Sequence, residues 1–344
     1  MNVAVLNTQV PFVRGGAEQL ADGLVGALRK HGHEVALVRL PFSWYPDQRI
    51  LDHMLAASLT RIPDVDLLIG LKFPAYYVQH PNKVLWILHQ HRQAYDLWGT
   101  RWQGIADSAE GRAVRRAIFA ADELHIPQGR RVFTISARVA DRMRKFNGIA
   151  ADVLYPPLPD EGYRSGGAGD YVFYPSRISV LKRQLLAAES LRHVRSPVRL
   201  LLAGDADTEQ DRGLLSELLA DDELRGRVEW LDGWISHERK LELMTGALGC
   251  MFLPYDEDYG YVTLESFSSG KPVITCTDSG GPLELVQDGV SGIIAEPEPR
   301  AIAEAIDRLA SDRAAARRMG LAGLERLAEL RVSWNHVVER LTTA

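Results

Sequence analysis

Cysteine is nearly absent: 344 residues hold only Cys250 and Cys276, both in apolar, strand-like runs without metal-ligand spacing. That excludes a disulfide framework and points to buried thiols in a reducing compartment. No apolar run approaches the roughly 20 residues that a spanning helix needs. The opening Met1-Asn2-Val3-Ala4-Val5-Leu6 is too short and too soon polar for a secretion signal, so a cytoplasmic protein is expected. Repeats, low-complexity tracts and coiled-coil heptads are also missing. A large excess of positive charge is lacking too: 40 Lys and Arg stand against 45 Asp and Glu, net −5, and no nucleic-acid partner is expected.

What charge there is divides unevenly. Up to Asp160 there are 19 basic and 15 acidic residues, and beyond it 21 and 30. The basic cluster of the first part includes Arg112, Arg115, Arg116, Arg130, Arg131, Arg142, Arg144 and Lys145. It is a candidate contact for an anionic acceptor or for acidic lipid headgroups at the inner face of a membrane; the alternative is solvated helix faces.

The rest is a chain of alternating strands and helices, long enough for two α/β cores. A strand at 3–6, a loop over 7–14 that ends at Arg14, a helix with Ala17, Leu20, Ala21, Leu24 and Leu28 on one face, and a strand at 35–38 form a strand-helix-strand unit. Gly15 and Gly16 open that helix, where backbone can approach a diphosphate, although a plain turn would read the same way. A dinucleotide fingerprint would need a third glycine and an acid closing the second strand; this strand ends Val38-Arg39, which argues against a dehydrogenase. Further strands are expected at 67–69 and 84–88, the latter running into His89-Gln90-His91, where open α/β sheets bind ligands. His89 is the first candidate there and His91 the second. A structural histidine is the alternative, and no acid or cysteine supports a metal. The aromatic stretch 95–102 reads as a loop over a cleft or as core. Ser136 and Ser236 are natural caps for the helices that follow them.

Proline and then glycine crowd 156–169, the best linker in the chain. The expected domains are therefore 1–160 and 170–332, with a closing helix in 333–344 that crosses back to the first. The second domain opens with a strand at 171–174 and then Arg177 and Lys182, expected at the start of a helix over 181–191. Two cations at a helix start suit the helix dipole poorly unless an anion meets them. One long helical pattern covers 301–327.

The most informative stretch is 255–277, YDEDYGYVTLESFSSGKPVITCT. It parses as a loop, a short helix from about Tyr261, and a buried strand. Glu257 falls in the loop and Glu265 about one turn into the helix, so both carboxylates can face one cleft. The first free amides, near Gly260, Tyr261 and Val262, favour an anion. Solvated acids on a loop and a helix surface are the alternative.

With its two acids separated by seven residues on a loop-to-helix turn, this stretch resembles the retaining glycosyltransferases of family 4. The resemblance is weakest over 42–63 and strongest over 171–295. It implies the GT-B fold: α/β, two Rossmann-like domains whose parallel sheets face each other across a cleft, acceptor side first and donor side second. It also implies roles. Glu257 contacts donor-sugar hydroxyls, Glu265 holds the ribose, and Arg177 and Lys182 neutralise the departing diphosphate. His89 reaches the donor sugar or its phosphate, Gly15 and Gly16 meet the donor phosphates or the acceptor, and backbone at Ile235 reads the base. Ser176 and Arg183 stand where glycine is common in the family. The implied activity is transfer of a sugar from a nucleotide-diphosphate sugar to a glycan, lipid-linked or small-molecule acceptor, with retention and without metal or further cofactor. A GT-B nucleotide-sugar epimerase and a non-catalytic sugar-nucleotide-binding partner subunit are the alternatives.

Overall fold

The computed structural model describes residues 1–12, 15–159 and 161–343; Arg14, Asp160 and Ala344, named above, lie outside the described residues. The chain divides into two units, Met1–Asp160 with Arg331–Ala344, and Glu161–Leu330.

The first unit alternates β1 (Asn2–Gln9), α1 (Gly16–Lys30), β2 (Glu34–Pro41), α2 (Gln48–Leu59), β3 (Leu67–Gly70), β4 (Lys83–Ile87), α3 (Ala109–His125), β5 (Arg131–Thr134), α4 (Ala137–Asn147) and β6 (Asp152–Val153). Its six strands lie in the order β2-β1-β3-β4-β5-β6, every pair parallel. β3 and β4 are buried throughout, which is why they read as apolar runs rather than as alternation. Pairing with β2 carries β1 on to Gln9, so Asn7 and Thr8 are strand residues and not part of the expected loop. Helix α1 buries Leu20, Leu24 and Leu28, and Ser136 caps α4 by accepting from the Val139 N–H at 3.1 Å. The last helix, α12 (Trp334–Thr342), belongs to this unit. Its Trp334 donates to the Leu158 carbonyl at 3.0 Å and meets Trp86 edge to face at 6.4 Å.

The second unit alternates β7 (Tyr171–Pro175), α5 (Gln184–Ser190), β8 (Arg199–Gly204), α6 (Glu209–Leu219), β9 (Val228–Asp232), α7 (His237–Gly246), β10 (Gly249–Met251), α8 (Tyr261–Ser268), β11 (Val273–Cys276), α9 (Pro282–Leu285), β12 (Gly292–Ala295), α10 (Pro299–Ser311) and α11 (Arg313–Glu329). The order is β12-β11-β10-β7-β8-β9, again all parallel. The expected 301–327 helix is two, broken at Asp312, which caps the second through the Ala315 N–H at 2.8 Å. The glycine-rich run before β7 lies bonded along this unit: Gly169 N–H reaches the Gly246 carbonyl at 2.7 Å, and the buried Lys271 ammonium holds the Gly167 and Ala247 carbonyls.

In each sheet the strand order reverses once, between β1 and β3 in the first and between β7 and β10 in the second. Loops leaving the carboxyl ends of the two strands at such a point diverge and open a crevice, where open α/β sheets bind ligands.

Candidate active site

The crevice of the second unit is bridged by an ion pair. Lys182, on the loop after β7, places its ammonium on the carboxylate of Glu257, on the loop after β10. The same ammonium lies 5.1 Å above the Phe252 ring centre. Beneath them the Tyr174 hydroxyl donates to the Lys182 carbonyl and accepts from the Leu253 N–H at 3.0 Å, tying the two loops together. Burial pushes the Tyr174 hydroxyl well above the ordinary tyrosine range, so it stays a donor.

The expected helix start at 181 is corrected. Arg183 adopts a left-handed backbone, φ 58°, and α5 begins only at Gln184. Arg177 and Lys182 therefore sit on a loop, and the helix-dipole argument for them falls away. That loop is fixed all the same: Gln184 donates to the Arg177 carbonyl at 2.8 Å, and Ile178 N–H reaches the Asp205 carbonyl at 2.8 Å. Arg177 points to solvent and pairs with Asp207 at 2.7 Å.

Glu265 lies in α8, largely buried, 2.7 Å from the Lys240 ammonium of α7. Each acid of the motif is thus held by its own lysine. Gly260, at φ 92°, turns the chain into α8, with Tyr261 and Val262 as the helix's opening residues. The Glu257 loop is stitched to the Ser279-Gly280-Gly281 loop by Glu257 N–H to the Ser279 carbonyl, 2.9 Å, and Gly281 N–H to the Glu257 carbonyl, 2.7 Å. A Cβ on Gly280 would meet the Glu257 carbonyl oxygen at 2.5 Å, so the approach requires glycine. Ile235 packs half-buried against a cluster that includes Phe173, Leu201 and Met244. Its neighbour Trp234, missed in the sequence, is 84% exposed; its only signal there is a tryptophan between Gly233 and the cap Ser236.

The crevice of the first unit holds a second lysine–glutamate pair. Glu18, in the first turn of α1, accepts the Gly15 N–H at 2.9 Å through one oxygen, and its other oxygen lies 3.5 Å from the Lys72 ammonium just beyond β3. The Gly15 amide is therefore committed within the chain, and Gly16 begins α1. Neither Lys72 nor Asn7 was singled out from the sequence. Asn7 is fully buried near the end of β1, and neither polar atom of its amide has a hydrogen-bond partner among the described residues.

His89, just beyond β4, bonds the Gln90 carbonyl through Nδ1 at 2.7 Å; a carbonyl only accepts, so that nitrogen carries the proton. His91 sits between Phe73, 5.2 Å, and Phe42, 6.3 Å, where burial, aided by nearby His89, lowers its pKa to about 4. It is a neutral, half-buried histidine packed against the two rings. Among the described residues no group of three or more His, Cys, Asp or Glu is placed to hold a metal ion. Behind this segment the buried Asp122 accepts from Tyr76 (3.0 Å), Tyr77 (2.7 Å), Tyr95 (2.6 Å) and Gln90 (2.8 Å), so Tyr95 of the aromatic stretch is core.

Half of the basic cluster is paired with acids of its own unit. Arg142 is buried against Asp96 at 3.0 Å, Arg115 donates to the Ala94 carbonyl at 2.8 Å, and Arg112, Arg131 and Arg144 pair with Asp107, Asp152 and Asp141. No helix among the described residues is long and apolar enough to cross a membrane.

Residues 164–326 match the family model of glycosyl transferases group 1, the stretch that carries Lys182, Glu257 and Glu265. Over that stretch the chain is similar to the group 1 glycosyltransferases. It is 29% identical to the alpha-maltose-1-phosphate synthase of Mycolicibacterium smegmatis, over 99% of this chain and 97% of that protein. It is also similar to the alpha-1,3/1,6-mannosyltransferase ALG2, 31% identical in Mus musculus and 27% in Homo sapiens, over 38% and 55% of this chain. Those matches span 32% and 51% of the two mannosyltransferases, about half of their length or less. Among solved structures, sucrose-phosphate synthase from Thermosynechococcus elongatus superposes with a TM-score of 0.75 at 18% identity, covering 99% of this chain and 97% of that one. Anabaena Alr3699/HepE in complex with UDP-glucose gives 0.71 at 16% identity, covering 100% and 98%. The chain thus has the GT-B fold.

Proposed function

We propose that this chain transfers a sugar from a nucleotide-diphosphate sugar to a hydroxyl of a glycan, lipid-linked or small-molecule acceptor, with retention at the anomeric carbon. The observation that carries the reading is the Lys182–Glu257 pair across the crevice of the second sheet. A cation held in a largely desolvated crevice stabilises a departing diphosphate by preorganisation, without a metal ion or other cofactor. In this reading the sugar C1–O bond to the diphosphate breaks, and the acceptor oxygen bonds C1 on the same face. The acceptor proton goes to the leaving phosphate oxygen.

The donor takes Lys182 from Glu257, freeing that carboxylate for the donor-sugar hydroxyls, while Arg177 adds positive charge to the diphosphate. Glu265, oriented by Lys240, receives the ribose, and the opening of α8 at Gly260, Tyr261 and Val262 faces a phosphate. Ile235 presents backbone to the base, and Trp234 is placed to stack on it. In the first unit His89, Gly15 and Gly16 serve the donor sugar, its phosphates or the acceptor, with Lys72 and Glu18 beside them. The basic cluster, half of it paired with acids, supports an acceptor-side role less than these crevice residues do, and a lipid surface less still.

The test is a thermal-shift panel with UDP, GDP, ADP, dTDP and their sugars, followed by transfer assays on the donor it selects. Lys182→Ala should lower kcat about a hundredfold, the usual loss for one preorganised donor. Glu257→Ala should lose transfer with nucleotide binding kept, and Glu265→Ala should lose nucleotide binding. A change below about twofold in Lys182→Ala rejects the leaving-group role.

A further inference from the structure

A second ion pair holds the Lys182 loop, and the reading above makes no use of it. Arg183 grips Asp278 with both prongs of its guanidinium, 2.7 and 2.6 Å, a geometry only arginine offers. The guanidinium also lies 5.2 Å above the Tyr255 ring centre and is mostly buried. The backbone at Arg183 is left-handed, φ 58° and ψ 38°, a conformation that side-chain-bearing residues rarely adopt and that the surroundings must enforce. Those surroundings are three loops that meet here. Tyr255 N–H bonds the Leu181 carbonyl at 2.8 Å, joining the Glu257 loop to the Lys182 loop. Asp256 N–H bonds the Asp278 carbonyl at 2.9 Å, joining the Glu257 loop to the Gly280 loop. Arg183 closes the triangle.

We propose that Arg183 and Asp278 form a positioning clamp for Lys182, a proposal that rests on Lys182 acting as the leaving-group cation. The pair holds the left-handed turn immediately after Lys182, and that turn sets the direction from which the lysine crosses the crevice to Glu257. Without the grip on Asp278 the turn is left to backbone bonds, Arg183 N–H to the Ser179 carbonyl at 3.1 Å and the Tyr174 hydroxyl to the Lys182 carbonyl, and the Lys182 side chain is held less closely at its station.

Glycine adopts the turn without strain, so Arg183→Gly separates positioning from folding. We expect its Tm within a few degrees of wild type, its kcat down about tenfold and its donor KM changed less than about threefold. Asp278→Asn should fall alongside it, Arg183→Lys should recover part of the loss, and the double variant Arg183→Gly with Asp278→Asn should be no worse than either single. Turnover within about twofold of wild type in Arg183→Gly, or losses that multiply in the double variant, overturns the clamp. A readout without substrate separates this from failure of the functional reading: acetylation of the Lys182 amine by acetic anhydride, followed by peptide mass spectrometry. In Arg183→Gly the Lys182 rate should rise several-fold while buried Lys271 stays unchanged. If no donor supports turnover by the wild type, the functional reading fails and the labelling alone decides; an unchanged Lys182 rate then rejects the clamp.

Discussion

Asn7 sets stability against use at a single residue. A buried amide whose polar atoms both lack a partner among the described residues costs about 1–3 kcal/mol per group left unsatisfied. It lies on the same side of β1 as Val3 and Val5, at the end of the strand that borders the first unit's crevice. Asn7→Leu keeps much of the volume and removes the penalty. Its Tm should rise by a few degrees while transfer falls, and a lower Tm would show that the amide is satisfied in solution. Lys83 is a second case, only 1% exposed, with its ammonium facing the carbonyls of Tyr76 (3.3 Å) and His125 (3.4 Å). Burial lowers its pKa to about 8, against an ordinary 10.5. Between those values the unfolded chain binds the extra proton, so the folded state gains stability as pH rises from about 8 towards 10.5. Lys83→Met should therefore be more stable than wild type in urea titrations at pH 7, and the difference should narrow at pH 10. Neither residue is legible in the chain, because a polar letter at the edge of an apolar run reads as a strand end facing water. Glu257 and Glu265 could be singled out because their spacing across a loop-to-helix turn is itself the signal.

At the scale of elements, what escaped the sequence was backbone conformation. The periodicity of Leu181, Leu185 and Leu186 predicts a helix that takes in Lys182, and only the left-handed turn at Arg183 forbids it. Helices α2 and α3 were not anticipated; the buried faces of both are sparse, Ile50, Met54 and Ala57 in the first and Val114 and Ile118 among polar neighbours in the second. The strands were plain, since a parallel sheet covered on both faces reads as runs of Val, Ile and Leu. The loop 279–281 shows how such conformation reaches the candidate site. Gly280 has φ 73°, and a Cβ there would lie 2.5 Å from the Glu257 carbonyl oxygen and 2.9 Å from its nitrogen. Backbone holds those atoms, so the Glu257 loop must move. Gly280→Ala should cost about 1–3 kcal/mol in denaturant unfolding. It should also reduce transfer more than it reduces binding of the nucleotide diphosphate. Equal losses in the two assays would show that the loop does not shift the carboxylate.

At the scale of the molecule, two sheets with separate cores make two units of stability, and the last fourteen residues belong to the first of them although they follow the second in the chain. The anchor is Trp334. Its indole bonds the Leu158 carbonyl and packs edge-on to Trp86, and a Cβ on Gly23 of α1 would meet its ring at 2.6 Å, so the helix-to-helix approach depends on that glycine. Ending the chain at Leu330 removes Trp334 together with the buried Val337, Val338 and Leu341. Losing the half-buried Trp334 and those three buried side chains together is worth at least about 3–5 kcal/mol, roughly ten degrees in Tm for a unit of this size. Tryptophan emission reports mainly on that unit, because Trp44, Trp86, Trp98, Trp102 and Trp334 lie in it and only Trp230 and Trp234 in the other. In the truncated chain the fluorescence transition should move down by that amount. The transition that responds to the nucleotide diphosphate, which in our reading binds the second unit, should stay where it was. If both shift together, the two units unfold as one cooperative body and the C-terminal helix stabilises the whole chain.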